Sequence, residues 1–345
     1  MNYIGSKHSI IDFIEESIID FAGKDNKVFC DIFAGTGVVG KRFKTLGFDV
    51  LANDTQFYSY VMNKHYLENN SVLSFSGLKL IGIRDPFIYL NKLNNYHGFI
   101  YNNYTLEGTL GSKFERCYYS SENAIKIDSI RDCIEKWYKK EIITKNEYYY
   151  LLACLLEAAD KVANTASVYE AFLKSMKKSA EKTMELKPID IVINKDSKCK
   201  IYIEDSNELV KEIKGDILYL DPPYNSRKYA TNYHILETIA YSDYPEISGK
   251  AGTRVEQFKS KYNKKNEVAR EFEDLIKNAK FKYIFLSYND EGIMSFKEIE
   301  DIMKKYGIYK RYECNHKRYK ASKNKEVEKK TTIEYLHALK KEDYE

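Results

Sequence analysis

Strand-like runs, most of them short and apolar, recur at 28–53 and again from residue 200 onward. Runs of this kind predict buried strands, and we expect strands at 28–33, 49–53, 200–204, 217–220, 283–288, 309–313 and 332–339. Apolar residues at helical spacing predict helices at 9–22, 38–46 and 296–305. Alternation of strands and helices indicates an α/β fold, a doubly wound (Rossmann-like) sheet that binds ligands at the carboxyl ends of its strands.

Between the second and third predicted strands this alternation stops. Helical patterns take its place at 61–69, 129–139 and 146–163. We therefore predict a discontinuous sheet domain at 1–61 and 196–345, interrupted by an inserted, mainly helical lobe at 62–195.

A glycine-rich turn, Ala34-Gly35-Thr36-Gly37-Val38-Val39-Gly40, follows the first predicted strand and enters a helix. Glycine permits positive φ and a close approach of the backbone to a ligand. The spacing also fits a dinucleotide fingerprint, which is a weak signal when it stands alone. Asp31 precedes the turn, and Asp54 follows the next strand, where it is placed to hold ribose hydroxyls. These acids argue against a dinucleotide, whereas a sulfonium cofactor, which carries no pyrophosphate, would tolerate them.

The apolar run 216–220 leads into Asp221-Pro222-Pro223-Tyr224. Proline fixes φ and donates no N–H, so the carbonyls of Asp221 and Pro222 should point in set directions. A carboxylate, an oriented carbonyl and an aromatic ring suit a planar amine such as N6 of adenine. Alternatively, these residues form an ordinary strand-to-loop turn with a half-buried tyrosine.

With these motifs the chain resembles the D12 class of adenine-specific DNA methyltransferases, which includes the bacterial Dam enzymes. Five landmarks occur in the family's order: Asn2-Tyr3-Ile4-Gly5-Ser6-Lys7, Asp31-x-Phe33-x-Gly35-x-Gly37, Asn53-Asp54, Asp205 and Asp221-Pro222-Pro223-Tyr224. The likeness is greatest to restriction-system members and continues through 227–234 and 286–289. Tyr3 departs from the pattern, because Dam-like members carry tryptophan there; stacking on the cofactor should survive this change.

The resemblance implies S-adenosyl-L-methionine (AdoMet) as the cofactor. The residues that match its binding positions are Tyr3, Lys7, Asp31, Phe33, Ala34, Gly35, Thr36, Gly37, Val38, Asp54, Asp205 and Asp221. Among them, Asp54 would bind the ribose and Asp205 the adenine amine of the cofactor. Two have simpler alternatives, because Phe33 could be a core residue and Asp205 a helix N-cap.

The implied reaction is methylation of N6 in an adenine extruded from duplex DNA. Asp221, Pro222, Pro223 and Tyr224 form the catalytic set. Asp221 and the Pro222 carbonyl would accept the two N6–H bonds, and Tyr224 would stack on the base. No cysteine lies near the turn, which disfavours methylation of cytosine C5.

The net charge of +4 conceals two basic segments, 250–265 and 304–330. Clustered cations supply most of the sequence-independent affinity for nucleic acid, although a solvated basic surface is the commoner explanation of a charge run. We expect the DNA contacts to come from Arg227, Lys250, Arg254, Lys317, Arg318 and Lys320. The glycine-rich segment 245–254 suggests a mobile loop over the duplex.

In the family the inserted lobe carries target recognition. The segments 116–119 and 164–169 offer polar and aromatic groups for base edges or phosphates. The alternative is that most of these tyrosines pack the lobe.

Hydropathy and cysteine spacing bear on membrane insertion, export, zinc binding and disulfides. The chain has no apolar run of about 18 residues, and Met1 is followed by Asn-Tyr-Ile-Gly rather than by a charged and then apolar stretch, so we expect no export. Its six cysteines form no Cys-x-x-Cys pair, which argues against zinc and disulfides and for a reducing cytoplasm.

Double-stranded DNA is therefore the expected partner, with no membrane and no metal. The resemblance also allows a cognate restriction endonuclease that acts separately. Two alternatives to an adenine-specific DNA enzyme remain open: a methyltransferase for another planar amine (cytosine N4, ribosomal RNA adenine or protein glutamine) and a non-catalytic DNA-binding module.

Overall fold

The computed structural model describes residues 6–224, 229–256, 260–290, 292–317 and 331–344. In chain order, its strands are β1 Val28–Asp31, β2 Asp49–Asn53, β3 Cys199–Tyr202, β4 Lys214–Leu220, β5 Ile247–Ser248, β6 Thr253–Arg254, β7 Lys280–Asn289, β8 Gly307–Lys317 and β9 Thr331–Lys341. Its α-helices are α1 Ile11–Ala22, α2 Val38–Thr45, α3 Phe57–Asn63, α4 Ser76–Leu80, α5 Pro86–Asn91, α6 Phe99–Tyr104, α7 Ser121–Lys139, α8 Lys145–Val162, α9 Ser206–Glu212, α10 Tyr229–Asn232, α11 His234–Tyr241, α12 Val268–Asn278 and α13 Phe296–Lys304. Short 3₁₀ turns lie at Lys7–Ile10 and Lys261–Asn263, and a π-helix, Lys64–Glu68, continues α3.

These elements form two compact units. The sheet unit comprises the described residues of 5–70, 192–229 and 259–345, and the helical unit those of 71–191 and 230–258. The division differs from the prediction in its bounds, since the helical unit begins at 71 and its first segment ends at 191, and it also places 230–258 in that unit. Here Arg131 of α7 donates to the carbonyls of Ile239 and Ala240 at the end of α11, at 2.9 and 3.1 Å, and so ties that helix to the unit.

Within the described residues, seven strands of the sheet unit form one sheet in the order β3-β2-β1-β4-β7-β9-β8. The first five are parallel, and β9 runs antiparallel to both β7 and β8. The predicted doubly wound α/β sheet is therefore confirmed, and β8 and β9 form an antiparallel pair at its edge. Because the order reverses between β1 and β4, their carboxyl ends form the crevice where such sheets bind ligands.

Several predicted bounds were wrong by a few residues. The first strand ends at Asp31 rather than at 33, because the chain turns there into the glycine-rich segment. Helix α7 begins eight residues earlier than predicted: Ser120 accepts a hydrogen bond from the Asn123 N–H and so caps a longer helix.

The helical unit is built around α7 and α8, which pack against each other. Thr144 and Glu147 form a capping box at the start of α8. None of the described helices is long and apolar enough to span a bilayer.

Apolar side chains cover both faces of the sheet. One face packs against α9, α12 and α13, and the other against α1 and α2. Burial on both faces explains why the parallel strands are continuous apolar runs rather than alternating ones.

Buried Lys44, on α2, closes the end of the π-helix. Its Nζ donates to the carbonyls of Tyr66, Leu67 and Asn69 at 3.1, 2.8 and 2.9 Å. These are carbonyls that the helix end leaves without intrahelical donors. The lysine therefore fixes the π-helix against α2.

We expect Lys44→Met to lower the free energy of unfolding by about 1–3 kcal/mol, since it leaves these carbonyls without their donor. Urea unfolding measures this. Lys41→Met is the matched control, because the Lys41 ammonium lies over the Tyr66 ring, 4.6 Å from its centroid. This substitution should cost less than about 1 kcal/mol. Equal losses in the two variants would contradict the role assigned to Lys44.

Candidate active site at the β1–β4 switch point

Two carboxylates lie at the point where the strand order reverses. Asp31 ends β1 and pairs in register with Tyr219 of β4, two residues before Asp221. The sheet thus brings together residues that are 190 positions apart in the sequence, as the doubly wound arrangement predicted.

Asp221 forms an ion pair with Lys7, with 2.9 Å between Nζ and Oδ1. The two side chains are only 7% and 20% exposed, so each charge depends on the other. Burial raises the pKa of the Asp221 carboxyl, and the Lys7 ammonium opposes that rise. Burial also lowers the pKa of Lys7, but Asp221, Tyr219 and Glu334 more than offset this and raise it. Lys7 therefore remains an ammonium.

The turn after β4 is anchored on both sides. Pro222 is buried, and the Tyr224 carbonyl accepts a hydrogen bond from the Ile293 N–H at 2.9 Å. The Tyr224 ring packs edge-on against Tyr288, with centroids 6.3 Å apart. The tyrosine is thus partly buried, as the simpler alternative also predicted.

The glycine turn between β1 and α2 adopts the conformation that its sequence predicted. Gly35 and Gly37 have φ of 50° and 81°, values that favour glycine. Gly37 donates to the Ala34 carbonyl at 2.9 Å, and Ala34 donates to the Asn53 carbonyl at 2.8 Å. The turn is therefore fastened to the end of β2.

Asp54 holds this turn through its carboxylate. Its Oδ2 accepts from the Gly35 N–H and its Oδ1 from the Gln56 N–H, both at 2.9 Å. Burial raises the pKa of the carboxyl to about 6, and these backbone donors limit the rise. The Thr55 N–H is a third backbone donor, so about one of the roughly four lone-pair positions of the carboxylate is left for a further donor, and Asp54 remains a candidate ribose ligand.

Asp31 has an unmatched acceptor. Its Oδ1 is buried and has no hydrogen-bond partner among the described residues. Burial raises the pKa of this carboxyl, as do the nearby Asp221 and Asp54. A buried acceptor beside two further acids fits a cationic donor, and the predicted cofactor carries an ammonium and a sulfonium. The residues present therefore suit AdoMet.

Two predicted cofactor residues are occupied in structural contacts. Asp205 caps α9, accepting from the Asn207 N–H at 2.9 Å, which is its simpler alternative. The Phe33 ring packs edge-on against Tyr262, with centroids 5.1 Å apart, at the rim of the core. Tyr3 lies outside the described residues.

Some site residues were missed by sequence reasoning. Asn53 is fully buried, and its Nδ2 donates to the carbonyls of Ile32 and Glu204 at 3.1 and 3.0 Å. It thereby ties the ends of β1, β2 and β3 together. Its position directly before Asp54 was the available signal. Glu334, on β9, gave no such signal, although it acts on the pKa values of both Lys7 and Asp221.

The glycine-rich segment 245–254 was predicted to be a mobile loop, and its mobility stays a prediction. It forms the β5–β6 hairpin, fixed by Arg116, which donates to the carbonyls of Gly249 and Lys250 at 3.0 and 3.2 Å. Tyr104 Oη also donates to the Gly252 carbonyl at 2.8 Å.

The lobe residues expected to reach DNA are mostly buried. They are Arg116, Cys117, Tyr118, Tyr119, Asn164 and Tyr169. Hydrogen bonds inside the helical unit occupy several of them; for example, Tyr118 Oη donates to the Tyr169 carbonyl at 2.7 Å. The alternative, that these residues pack the lobe, is the correct one.

The residues predicted to contact DNA differ in exposure and in their partners. Lys250 is exposed on the β5–β6 hairpin, whereas Arg254 forms a two-pronged ion pair with Asp243 at 2.9 and 2.5 Å. Arg227, Arg318 and Lys320 lie outside the described residues. Lys317 ends β8, and its side chain is not among those described.

No three His, Cys, Asp or Glu side chains in the described ranges are grouped so that they could hold a metal ion.

Comparison with known proteins adds an independent finding. A model of the D12 class N6 adenine-specific DNA methyltransferase family matches residues 3–302. The chain is 47% identical to Type II methyltransferase M.NlaIII of Neisseria lactamica, over 99% of both chains. It is 42% identical to Type II methyltransferase M.FokI of Planomicrobium okeanokoites and 39% identical to Modification methylase StsI of Streptococcus sanguinis. These matches cover 99% and 95% of this chain but only 53% and 50% of the relatives, so it spans about half their length.

The unmatched acceptor on Asp31 yields a test. Because its pKa is raised in the folded state, Asp31 favours folding most below its unfolded-state pKa near 4, and this contribution is lost as pH rises through the folded-state value. Asp31→Asn should therefore unfold at higher urea than the parent protein at pH 7.5, without cofactor, and lose that advantage near pH 4. Its AdoMet affinity, measured by calorimetry, should fall about tenfold.

The matched control is Asp216→Asn, at the amino end of the same sheet, where the carboxylate accepts from the N–H groups of Lys27 and Val28. It should show no gain in stability at either pH. If Asp31→Asn were less stable than the parent protein at pH 7.5, Asp31 would not be an uncompensated buried charge.

Proposed function

Because the chain belongs to the D12 class of N6 adenine-specific DNA methyltransferases, we propose that it transfers a methyl group from AdoMet to an adenine N6 at the β1–β4 switch point. Family membership decides for adenine over the other planar amines and for an enzyme over a non-catalytic module. The observation that carries the proposed chemistry is the Lys7–Asp221 ion pair, at 2.9 Å.

In this proposal Asp221 is the acceptor for the target amine. The N6 lone pair is delocalised into the adenine ring, so the free amine is a poor nucleophile. A carboxylate that accepts one N6–H, with the Pro222 carbonyl accepting the other, returns electron density to nitrogen. Lys7 keeps Asp221 ionised despite its burial, and an ionised carboxylate is purely an acceptor.

AdoMet supplies an electrophilic methyl on a sulfonium, and the residues around the glycine turn would hold it. Asp31 would accept from the cationic methionine end, and Asp54 from the ribose. Gly35, Thr36 and Gly37 bring the backbone close, since glycine leaves room for a ligand. Ala34, Val38, Phe33, Asp205 and Tyr3 complete the proposed binding set.

The target base must leave the duplex for its N6 to reach Asp221. Tyr224 would stack on the extruded base, and Pro222 and Pro223 would keep the turn rigid. Support for this role comes from the anchoring of Tyr224 through its carbonyl and its ring.

Duplex DNA would be bound by exposed basic residues. Lys250 is the one whose exposure supports this role most directly; Arg227, Lys317, Arg318 and Lys320 remain proposals, and Arg254 would have to exchange Asp243 for a phosphate. The inserted lobe at 62–195 would carry target recognition.

By analogy with the type II relatives, we place the enzyme in a restriction–modification system. A cognate endonuclease would act separately on the same site. Cellular DNA is the substrate in such a system, so the enzyme would work in the cytoplasm.

We expect Asp221→Ala to reduce the rate of methyl transfer at least about a hundredfold, on the order of a catalytic acceptor's contribution. The assay measures transfer from radiolabelled AdoMet to genomic DNA from cells that lack the enzyme. Its DNA affinity should stay within about twofold of the parent protein, because phosphate contacts lie elsewhere. Asp216→Ala, at the other end of β4, serves as the control and should retain activity. Transfer by folded Asp221→Ala at the parent rate would refute the mechanism.

A further inference from the structure

The cofactor turn rests on Asn63, which no motif singles out. Asn63 is the last residue of α3 and is 1% exposed. Its Nδ2 donates to the Gly35 carbonyl and, within its own helix, to the Ser59 carbonyl, both at 2.9 Å. The side chain therefore reaches from α3 into the turn between β1 and α2.

Gly35 is held on both sides by side chains. Its N–H donates to Asp54 Oδ2, and its carbonyl accepts from Asn63 Nδ2, each at 2.9 Å. Since these two peptide groups flank one α-carbon, fixing both leaves Gly35 little freedom to rotate. Asp54 and Asn63 thus form a clamp on the residue at the centre of the turn.

The amide of Asn63 also limits what can stand at Gly37. A Cβ placed on Gly37 would lie 2.7 Å from Asn63 Oδ1, closer than real Cβ contacts come. That oxygen is buried and has no hydrogen-bond partner among the described residues. The amide therefore fills the space beside the turn, although its unsatisfied acceptor costs stability.

The helix changes type at this residue. Helix α3 ends at Asn63, and the π-helix Lys64–Glu68 follows; π segments inside helices often occur at functional sites. Lys44 holds the carbonyls of Tyr66, Leu67 and Asn69. Leu67 in turn lies 3.3 Å from where a Cβ on Gly40 would stand. The π-helix that follows Asn63 is thus fixed to α2, the helix that follows the glycine turn.

From this geometry we propose that Asn63 is a positioning residue for AdoMet binding: it orients the Gly35–Gly37 backbone toward the methionine end of the cofactor. The inference rests on the proposed cofactor site. Asn63 does not contact the reacting atoms, so its effect falls on cofactor affinity and not on the methyl-transfer step.

Calorimetric titration of AdoMet into Asn63→Ala tests this. We expect about a tenfold loss of affinity, the size of one hydrogen bond whose acceptor is left buried. The KM for AdoMet should rise in parallel, while kcat at saturating AdoMet should stay within about twofold of the parent value. Should Asn63→Ala be too unstable, Asn63→Ser, which leaves a smaller cavity, should show the same affinity loss.

Asn69→Ala is the matched control. Asn69 follows the same helix, is also 1% exposed, and its Oδ1 likewise has no partner among the described residues; its Nδ2 lies 3.4 Å from His65 Nδ1, not against the glycine turn. The Asn69→Ala variant should lower the midpoint of thermal unfolding about as much as Asn63→Ala does. It should nevertheless bind AdoMet like the parent protein.

The results distinguish failure of the proposed cofactor site from failure of the role proposed for Asn63. If the parent protein fails to bind AdoMet, the proposed cofactor site is wrong and this inference falls with it. If the parent protein binds but the folded Asn63 variant binds equally well, or loses affinity no more than Asn69→Ala, Asn63 does not position the turn.

Discussion

The buried ion pair between Lys7 and Asp221 is the interaction on which the arrangement of the site depends. Lys7 starts a 3₁₀ turn near the beginning of the chain, and Asp221 follows β4. Moving either charge out of water costs several kcal/mol unless the other lies beside it. Each residue therefore fixes the other, which explains why the amino-terminal motif and the Asp-Pro-Pro-Tyr turn belong to one site. The pair also keeps the carboxylate in the ionised form that can accept from an amine.

Around the Lys7–Asp221 pair, the site contains more acidic than basic side chains. Burial raises the pKa values of Asp31, Asp54 and Asp221, and Asp31 keeps an acceptor that no described residue satisfies. Such groups oppose folding at neutral pH. Under the proposed function, a cationic cofactor would relieve these buried charges, so that the stability lost in the cofactor-free protein would be recovered as binding energy. In the proposed function, the glycine turn, held between Asp54 and Asn63, would be the rigid part against which that cofactor is bound.

Much of this arrangement could be read from the sequence, because it is local. Strand-like runs located every strand of the main sheet, the glycine spacing located the turn, and two prolines marked the end of β4. What could not be read depends on tertiary contacts. Nothing near residues 230–258 shows that Arg131 ties α11 to the helical unit, and nothing in 116–119 shows that Arg116 holds a hairpin 130 positions away. Asn63 looks like an ordinary helical asparagine until the turn it supports is seen.

A double-mutant cycle on Lys7→Met and Asp221→Asn tests the central claim most directly, with the free energy of unfolding measured in urea at pH 7. If the ion pair organises the site, Lys7→Met should be strongly destabilising in the parent protein, because it strands the Asp221 charge, and nearly neutral once Asp221→Asn has removed that charge. The account predicts a coupling free energy of about 2 kcal/mol or more. Additive effects, with a coupling under about 0.5 kcal/mol, would mean that the two residues do not depend on each other.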